Sequence, residues 1–370
     1  MNRMVNDLGS RIEAIVAEDE ARLIAIRRDL HAHPETGFDT VRTAAIVADE
    51  LRALGLAPQT GIGETGVVTE IAGGRPGPVL VLRADMDALP ITEETGLPFA
   101  SSVPGKMHAC GHDLHTATLL GAARVLRDIA PGLAGTVRLM FQPAEETPVS
   151  GAAAMIRDGV LDGADMALGF HNYPEVPVGR FCYVHGVANG SSDDFDIVLQ
   201  GRSGHAASPH QTADPIVAAA HLVLQIQTIV SREVDPMLPA VVTVGALLAG
   251  DTHNIIPERA VLRGTARTQS DAARATIEAA LRRLCAGIEA SMRVSATLDW
   301  QPGTPCLTSD ADILAATVGA VEAHYGAVAD EKPADLGAED FAFVSQIVPA
   351  FQLGVGSGQP GRQDLSLIHI

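Results

Sequence analysis

Residues 78–91, PVLVLRADMDALPI, run without a polar interruption from Val79 to Leu82 and then deliver Asp85 and Asp87. A short, continuous apolar run of this kind marks a strand buried on both faces, because both rows of alternating side chains meet apolar neighbours. The same phrase recurs. Residues 135–147, GTVRLMFQPAEET, stay largely apolar through Phe141 and deliver Glu145 and Glu146. Residues 165–174, DMALGFHNYP, stay apolar through Phe170 and deliver His171. Between the first two lies DLHTATLLGAARVLRDIAPG (113–132), where Asp113 suits an N-cap, Leu119, Ala122, Leu126 and Ile129 share one stripe, and Pro131-Gly132 ends the helix. Strands alternating with helices imply βαβ units and an α/β fold, a mainly parallel sheet flanked by helices. In such sheets ligands gather beyond the carboxyl ends of the strands. Asp85, Asp87, Glu145, Glu146 and His171 all fall there.

Upstream, residues 10–30 carry helical periodicity that stops at HAHPETGF, and a second helix at about 40–54 is closed by Gly55. Near residue 187 the texture changes. SSDDFDIVLQGRSGHAASP (191–209) alternates like a half-exposed strand, and a long helix, two strands and another helix follow. This βαββα order fits a smaller open sheet with helices on one face. From about 305 the α/β character resumes. The expected organisation is a catalytic domain in two pieces, 1–186 and 300–370, interrupted by a smaller α+β satellite domain at 187–299, with Trp300 near the junction.

The formal net charge of −19 argues against nucleic acid or an anionic membrane as partner, since phosphate binding needs a basic face. The charged first residues do not read as a signal peptide, and no run approaches the length that spans a bilayer. The four cysteines, Cys110, Cys182, Cys285 and Cys306, are widely scattered, so a reducing, cytoplasmic location is the economical expectation.

The stretch HACGHDLH (108–115) concentrates metal-seeking chemistry. Cys110 and His112 lie two apart, so on extended backbone their side chains would point the same way. Thiolate and imidazole suit zinc or cobalt, and carboxylates widen the choice to manganese. The alternatives are a cysteine nucleophile with His108 or His112 as base, or coincidence. A crevice walled by carboxylates and imidazoles repels itself unless cations sit within it. The Glu145-Glu146 pair also suits a division of labour, one carboxylate binding metal while its neighbour handles a proton.

Taken together, RRDLHAHPETGF, LRADMDALPI, MHACGHDLHTA, FQPAEE, GFHNYP, GHAASPH, THNIIPERAVLRGTAR and ADLGAEDF resemble, in collinear order, the carboxypeptidase-G/aminoacylase family of two-metal amidohydrolases. The resemblance is strongest to the branch containing hippurate hydrolase and indole-acetyl-amino-acid amidohydrolase. It implies that Cys110 bridges two divalent ions (manganese or zinc, with cobalt and nickel as further candidates), and that His112, Glu146 and His171 are further ligands. Glu145 would be the general base, and Asp87 would orient a neighbouring group. Asp85 stands where relatives outside this branch place a histidine ligand and is not assigned to metal. His205 would stabilise the oxyanion, often from a partner subunit, and Asn254 and Arg267 would hold the substrate carboxylate. The implied activity is cleavage of a small N-acyl amino acid into a carboxylic acid and a free amino acid. A homo-oligomer formed through the satellite domain is the implied assembly. His31, His33 and His108 are read as structural.

Relatives supply one more metal-binding histidine after the Gly-rich loop matching LGVGSGQPGRQ (353–363). Here the chain closes on LSLIHI (365–370), which matches one reading frame of the transposase adapter CTGTCTCTTATACACATC. The expectation is therefore that His369 is adapter-encoded, that the native tail is lost and that one ligand is missing, which makes a catalytically impaired metal-binding relative the alternative to an active hydrolase; a genuine divergent terminus is the other reading of LSLIHI.

Overall fold

The structure, a computed structural model, describes residues 2–358, with side chains described from Leu8 onward. His369 and the closing LSLIHI lie outside the described residues. The chain divides into two compact units. One comprises Met1–Gly186, Thr308–Pro333 and Asp340–Ile370; the other comprises Val187–Leu307 and Ala334–Glu339. No helix among the described residues is long and apolar enough to cross a membrane.

The first unit is built on an eight-stranded sheet. Its order is Gln59–Ile62, Gly66–Ala72, Ala134–Gln142, Arg75–Asp85, Met166–Pro177, Ala350–Gly358, Phe181–Tyr183 and Ala329–Glu331. The four central strands are mutually parallel, and antiparallel pairs are confined to the flanks. The buried apolar runs of the sequence are these central strands. Register brings their chemistry level: Asp85 pairs with Gln142, and Arg83 with Gly169, two residues before His171. His171 does not follow its strand, as the sequence suggested. The strand continues to Pro177 because it goes on pairing with Ala350–Gly358.

Helix His112–Ile129 buries Leu119, Leu120 and Ala123 with Leu51 of helix Val41–Ala53 and with Val67, Leu139 and Phe141 of the sheet. Its cap is Gly111, at φ 89° and ψ 20°, not Asp113, which lies in the first turn. A left-handed glycine thus turns the chain between Cys110 and His112, so the extended backbone expected there is replaced by a tight corner. A Cβ on Gly111 would stand 2.3 Å from Asn172 Oδ1, which reserves the position for glycine.

In the second unit an antiparallel sheet runs in the order Ala240–Ala249, Arg259–Thr268, Ser191–Gln200, Ser295–Pro302. Helices Pro215–Arg232 and Asp271–Met292 pack Leu222, Ile226, Ile277 and Leu281 with Ile197, Leu199 and Leu262 of the sheet. The last strand extends the expected βαββα order to βαββαβ. Trp300 lies on it and stacks on Phe195, centroids 6.4 Å apart, within this unit's own core.

Below the carboxyl ends of the central strands lies a buried charge cluster. Arg83, with a fully buried side chain, donates to Gln142 Oε1 (2.9 Å), Asp85 Oδ2 (2.6 Å) and Asp340 Oδ1 (2.9 Å). Gln142 and Ser150 also donate to Asp340, at 2.7 and 2.6 Å. Removing the cation would take from two buried carboxylates the guanidinium they share. Arg83→Met is therefore expected to destabilise the protein by about 3–5 kcal/mol, read by denaturant unfolding. A loss below about 1 kcal/mol would contradict this role.

Candidate metal centre

Asp87 is wholly buried and accepts two successive backbone amides, Glu145 N–H at Oδ1 (2.9 Å) and Glu146 N–H at Oδ2 (3.1 Å). One carboxylate therefore sets the backbone of both glutamates. The preceding residue, Ala144, sits at φ 53°, a left-handed conformation that costs a non-glycine residue about 1 kcal/mol or more. Its neighbours hold it there: Ala144 N–H donates to Gly37 O and its carbonyl accepts from Gly151 N–H.

Cys110 Sγ lies 3.3 Å from His171 Nε2. His171 Nδ1 lies 2.8 Å from the backbone carbonyl of Asn172, which can only accept, so that nitrogen carries the proton and Nε2 presents a lone pair toward the sulfur. His112 Nε2 is 3.9 Å from both Glu145 Oε2 and Glu146 Oε1, and its Nδ1 is 3.5 Å from Asp87 Oδ1 and 3.7 Å from Asp85 Oδ1. The groups Cys110–His112–His171 and His112–Glu145–Glu146 each bring one ligand atom per residue within 4.8 Å of one another. They share His112.

This donor set fits divalent cations. Among the described residues, both His112 ring nitrogens and Glu146 Oε1 are buried without a hydrogen-bond partner. Burial works against a charged His112 imidazole, but Asp85 and Cys110 outweigh it and raise its pKa well above the ordinary value. Burial raises the Glu146 carboxyl, opposed by His112 and reinforced by Asp87. Each shift expresses the same demand for positive charge. Burial also pushes the Cys110 thiol up to about 12, so it forms a thiolate only beside a cation. That disfavours a free cysteine nucleophile.

Two features escaped the sequence reading. His115 Nδ1 is 2.5 Å from Asp85 Oδ1, and its Nε2 accepts from Asn172 N–H at 3.2 Å. Its ring is fully engaged, so it is no ligand despite its place in HACGHDLH. The Asp113 carboxylate, fully buried, accepts from His31 Nδ1 at 2.8 Å. His108 is buried too, which lowers its pKa to about 4. The three residues expected to bind substrate lie in the second unit. His205 is exposed, its backbone paired with Ile255 and its Nδ1 accepting from Ala207 N–H at 3.1 Å. Asn254 is exposed and accepts from Thr252 Oγ1 at 3.0 Å. Arg267 is half-buried, paired with Val241 and Ser192.

The pattern of Peptidase family M20/M25/M40 matches residues 81–369. Over 343 residues the chain is 41% identical to an N-acetylcysteine deacetylase of Bacillus subtilis, spanning 91% of this chain and 88% of that one. It is 42% identical over 277 residues to an N-acyl-L-amino acid amidohydrolase of Geobacillus stearothermophilus, covering 75% of each. It superposes with a TM-score of 0.82 on the crystal structure of a Bacillus subtilis protein described as a dinuclear metal-binding peptidase of family M20. Identity there is 37%, with 94% and 91% of the two chains covered. The chain belongs to the M20/M25/M40 peptidase family and is, by class, a metal-dependent amide hydrolase.

In protein stripped of metal but still folded, Cys110 should react with iodoacetamide at pH 8 about a hundredfold slower than free cysteine, whose pKa is about 8.5, the smaller thiolate fraction being offset in part by the greater nucleophilicity of a more basic thiolate. Site-resolved mass spectrometry measures this. Rapid labelling of Cys110 would restore the nucleophile reading.

Proposed function

We propose that the protein hydrolyses the amide of small N-acyl amino acids, N-acetyl or hippurate-like, releasing a carboxylic acid and a free amino acid. The observation that carries this reading is the convergence of Cys110, His112, His171 and the Glu145-Glu146 pair, with both His112 ring nitrogens and Glu146 Oε1 buried without a hydrogen-bond partner. Cys110, His112, Glu146 and His171 would hold two divalent ions; manganese and zinc suit this mixture of thiolate, imidazole and carboxylate. When bound, the ions supply Lewis acidity toward the amide carbonyl and make water a stronger acid.

The remaining steps belong to the side chains. Glu145, its backbone fixed by Asp87, takes the proton of the attacking water as the carbon–oxygen bond forms and delivers it to the leaving nitrogen as the carbon–nitrogen bond breaks. His205 holds the developing oxyanion. Arg267 and Asn254 hold the amino acid's carboxylate. The names of the relatives from Bacillus subtilis and Geobacillus stearothermophilus support N-acyl amino acids as the substrate class. We assign the first unit as catalytic and the second as a satellite through which copies of the chain pair, in a cytoplasmic enzyme.

Hydrolysis of N-acetyl amino acids should disappear on exhaustive chelation and return with manganese or zinc. Glu145→Gln should lower kcat by about 10²–10⁴-fold while leaving bound metal unchanged. Turnover that persists after complete removal of metal would refute the reading.

A further inference from the structure

The backbone of Asn172 serves two histidines at once. Its carbonyl accepts from His171 Nδ1, and its N–H donates to His115 Nε2. A backbone N–H can only donate, so His115 Nε2 is unprotonated and its proton sits on Nδ1, aimed at Asp85 Oδ1. The other Asp85 oxygen is held by Arg83. Asp85, His115 and His112 lie close enough to suggest a ligand group of their own. His115, however, has no lone pair left to give.

We propose that His115 is a positioning residue for the metal centre: it fixes the Asn172 peptide, which in turn fixes the tautomer and orientation of His171. The order of dependence is Arg83, Asp85, His115, the Asn172 amide, the Asn172 carbonyl, His171 Nδ1, and finally the Nε2 lone pair 3.3 Å from Cys110 Sγ. The ladder with Ala350–Gly358 holds the strand around Asn172, which lies opposite Val355, while the N–H and carbonyl of Asn172 are themselves given to the two histidines. The Asn172 side chain closes over Gly111, where any Cβ would meet it at 2.3 Å, and its amide reaches Ser357 Oγ only at 3.5 Å. Groups that orient a metal-binding histidine are typically worth 10–100-fold in metal affinity. This inference rests on His171 being a ligand, as in the proposed function.

Two substitutions separate the halves of the ring. In His115→Asn the side-chain amide reaches the place of Nδ1, keeping the donor to Asp85 and losing the acceptor for Asn172 N–H. In His115→Gln the amide oxygen reaches the place of Nε2 and keeps that acceptor. Titration of the full-length, metal-stripped chain with zinc or manganese against a competing chelator should show one ion bound about 10–100-fold more weakly in His115→Asn. His115→Gln should stay near the parent. Long-range ¹⁵N–¹H correlations of ¹⁵N-histidine-labelled, metal-free parent should place the His171 proton on Nδ1. The proposal is overturned if that proton sits on Nε2, if folded His115→Asn binds both ions like the parent, or if His115→Gln loses as much as His115→Asn. Because the tautomer is read without metal or turnover, failure of the amidohydrolase assignment would be seen separately, as a parent that binds no ion.

Discussion

Five carboxylates, a thiol and three imidazoles cluster at the carboxyl end of the central strands, and their charge must be balanced for the fold to hold them. Arg83 neutralises the lower layer, where Asp85 and Asp340 are buried. Among the described residues, neither Asp87 nor Glu146 in the upper layer forms an ion pair with an arginine or lysine. There the imidazole of His112 stands within 4 Å of Asp85, Asp87, Glu145 and Glu146, and against burial Asp85 above all holds its pKa well above the ordinary value. A proton on His112 and a divalent ion are alternative answers to the same electrostatic demand. A bound ion would answer it better, since it would also stabilise the Cys110 thiolate and pair the buried Glu146 oxygen.

The geometry that meets this demand comes from backbone features more than from side-chain reach. Gly111 in a left-handed turn brings Cys110 and His112 around one corner. Ala144, also left-handed, swings the glutamate pair out of its strand, and Asp87 receives both of their amides. Strand register supplies the third side by setting His171 level with Asp85. Of the candidate ligands only His171 lies on a strand; Cys110, His112 and Glu146 sit where strand or loop turns beside it, and the left-handed residues Gly111 and Ala144 lie in those turns.

Much of this was legible in the chain. Three apolar runs, each closing on an acid or a histidine, announced both the central sheet and the edge at which chemistry gathers, because a strand buried on both faces tolerates no polar residue until it emerges. The order of motifs identified the family. The lower layer was not legible. Arg83 interrupts an apolar run, and nothing in local periodicity says that a guanidinium there is buried between Asp85 and Asp340, the latter 257 positions away. His115 lies in HACGHDLH with no role assigned by the sequence, and only its two hydrogen bonds disclose that its ring is spent. The turn at Gly111 was misread as extension because a lone glycine between two polar residues does not reveal the sign of φ.

The central claim is that sulfur, imidazole and carboxylate converge to bind metal. X-ray absorption at the zinc edge of the reconstituted protein tests it most directly. The account predicts a sulfur scatterer at about 2.3 Å from zinc, together with nitrogen and oxygen at about 2.0–2.2 Å, and loss of the sulfur shell in Cys110→Ser. A spectrum with only nitrogen and oxygen neighbours in the parent, unchanged by that substitution, would contradict it.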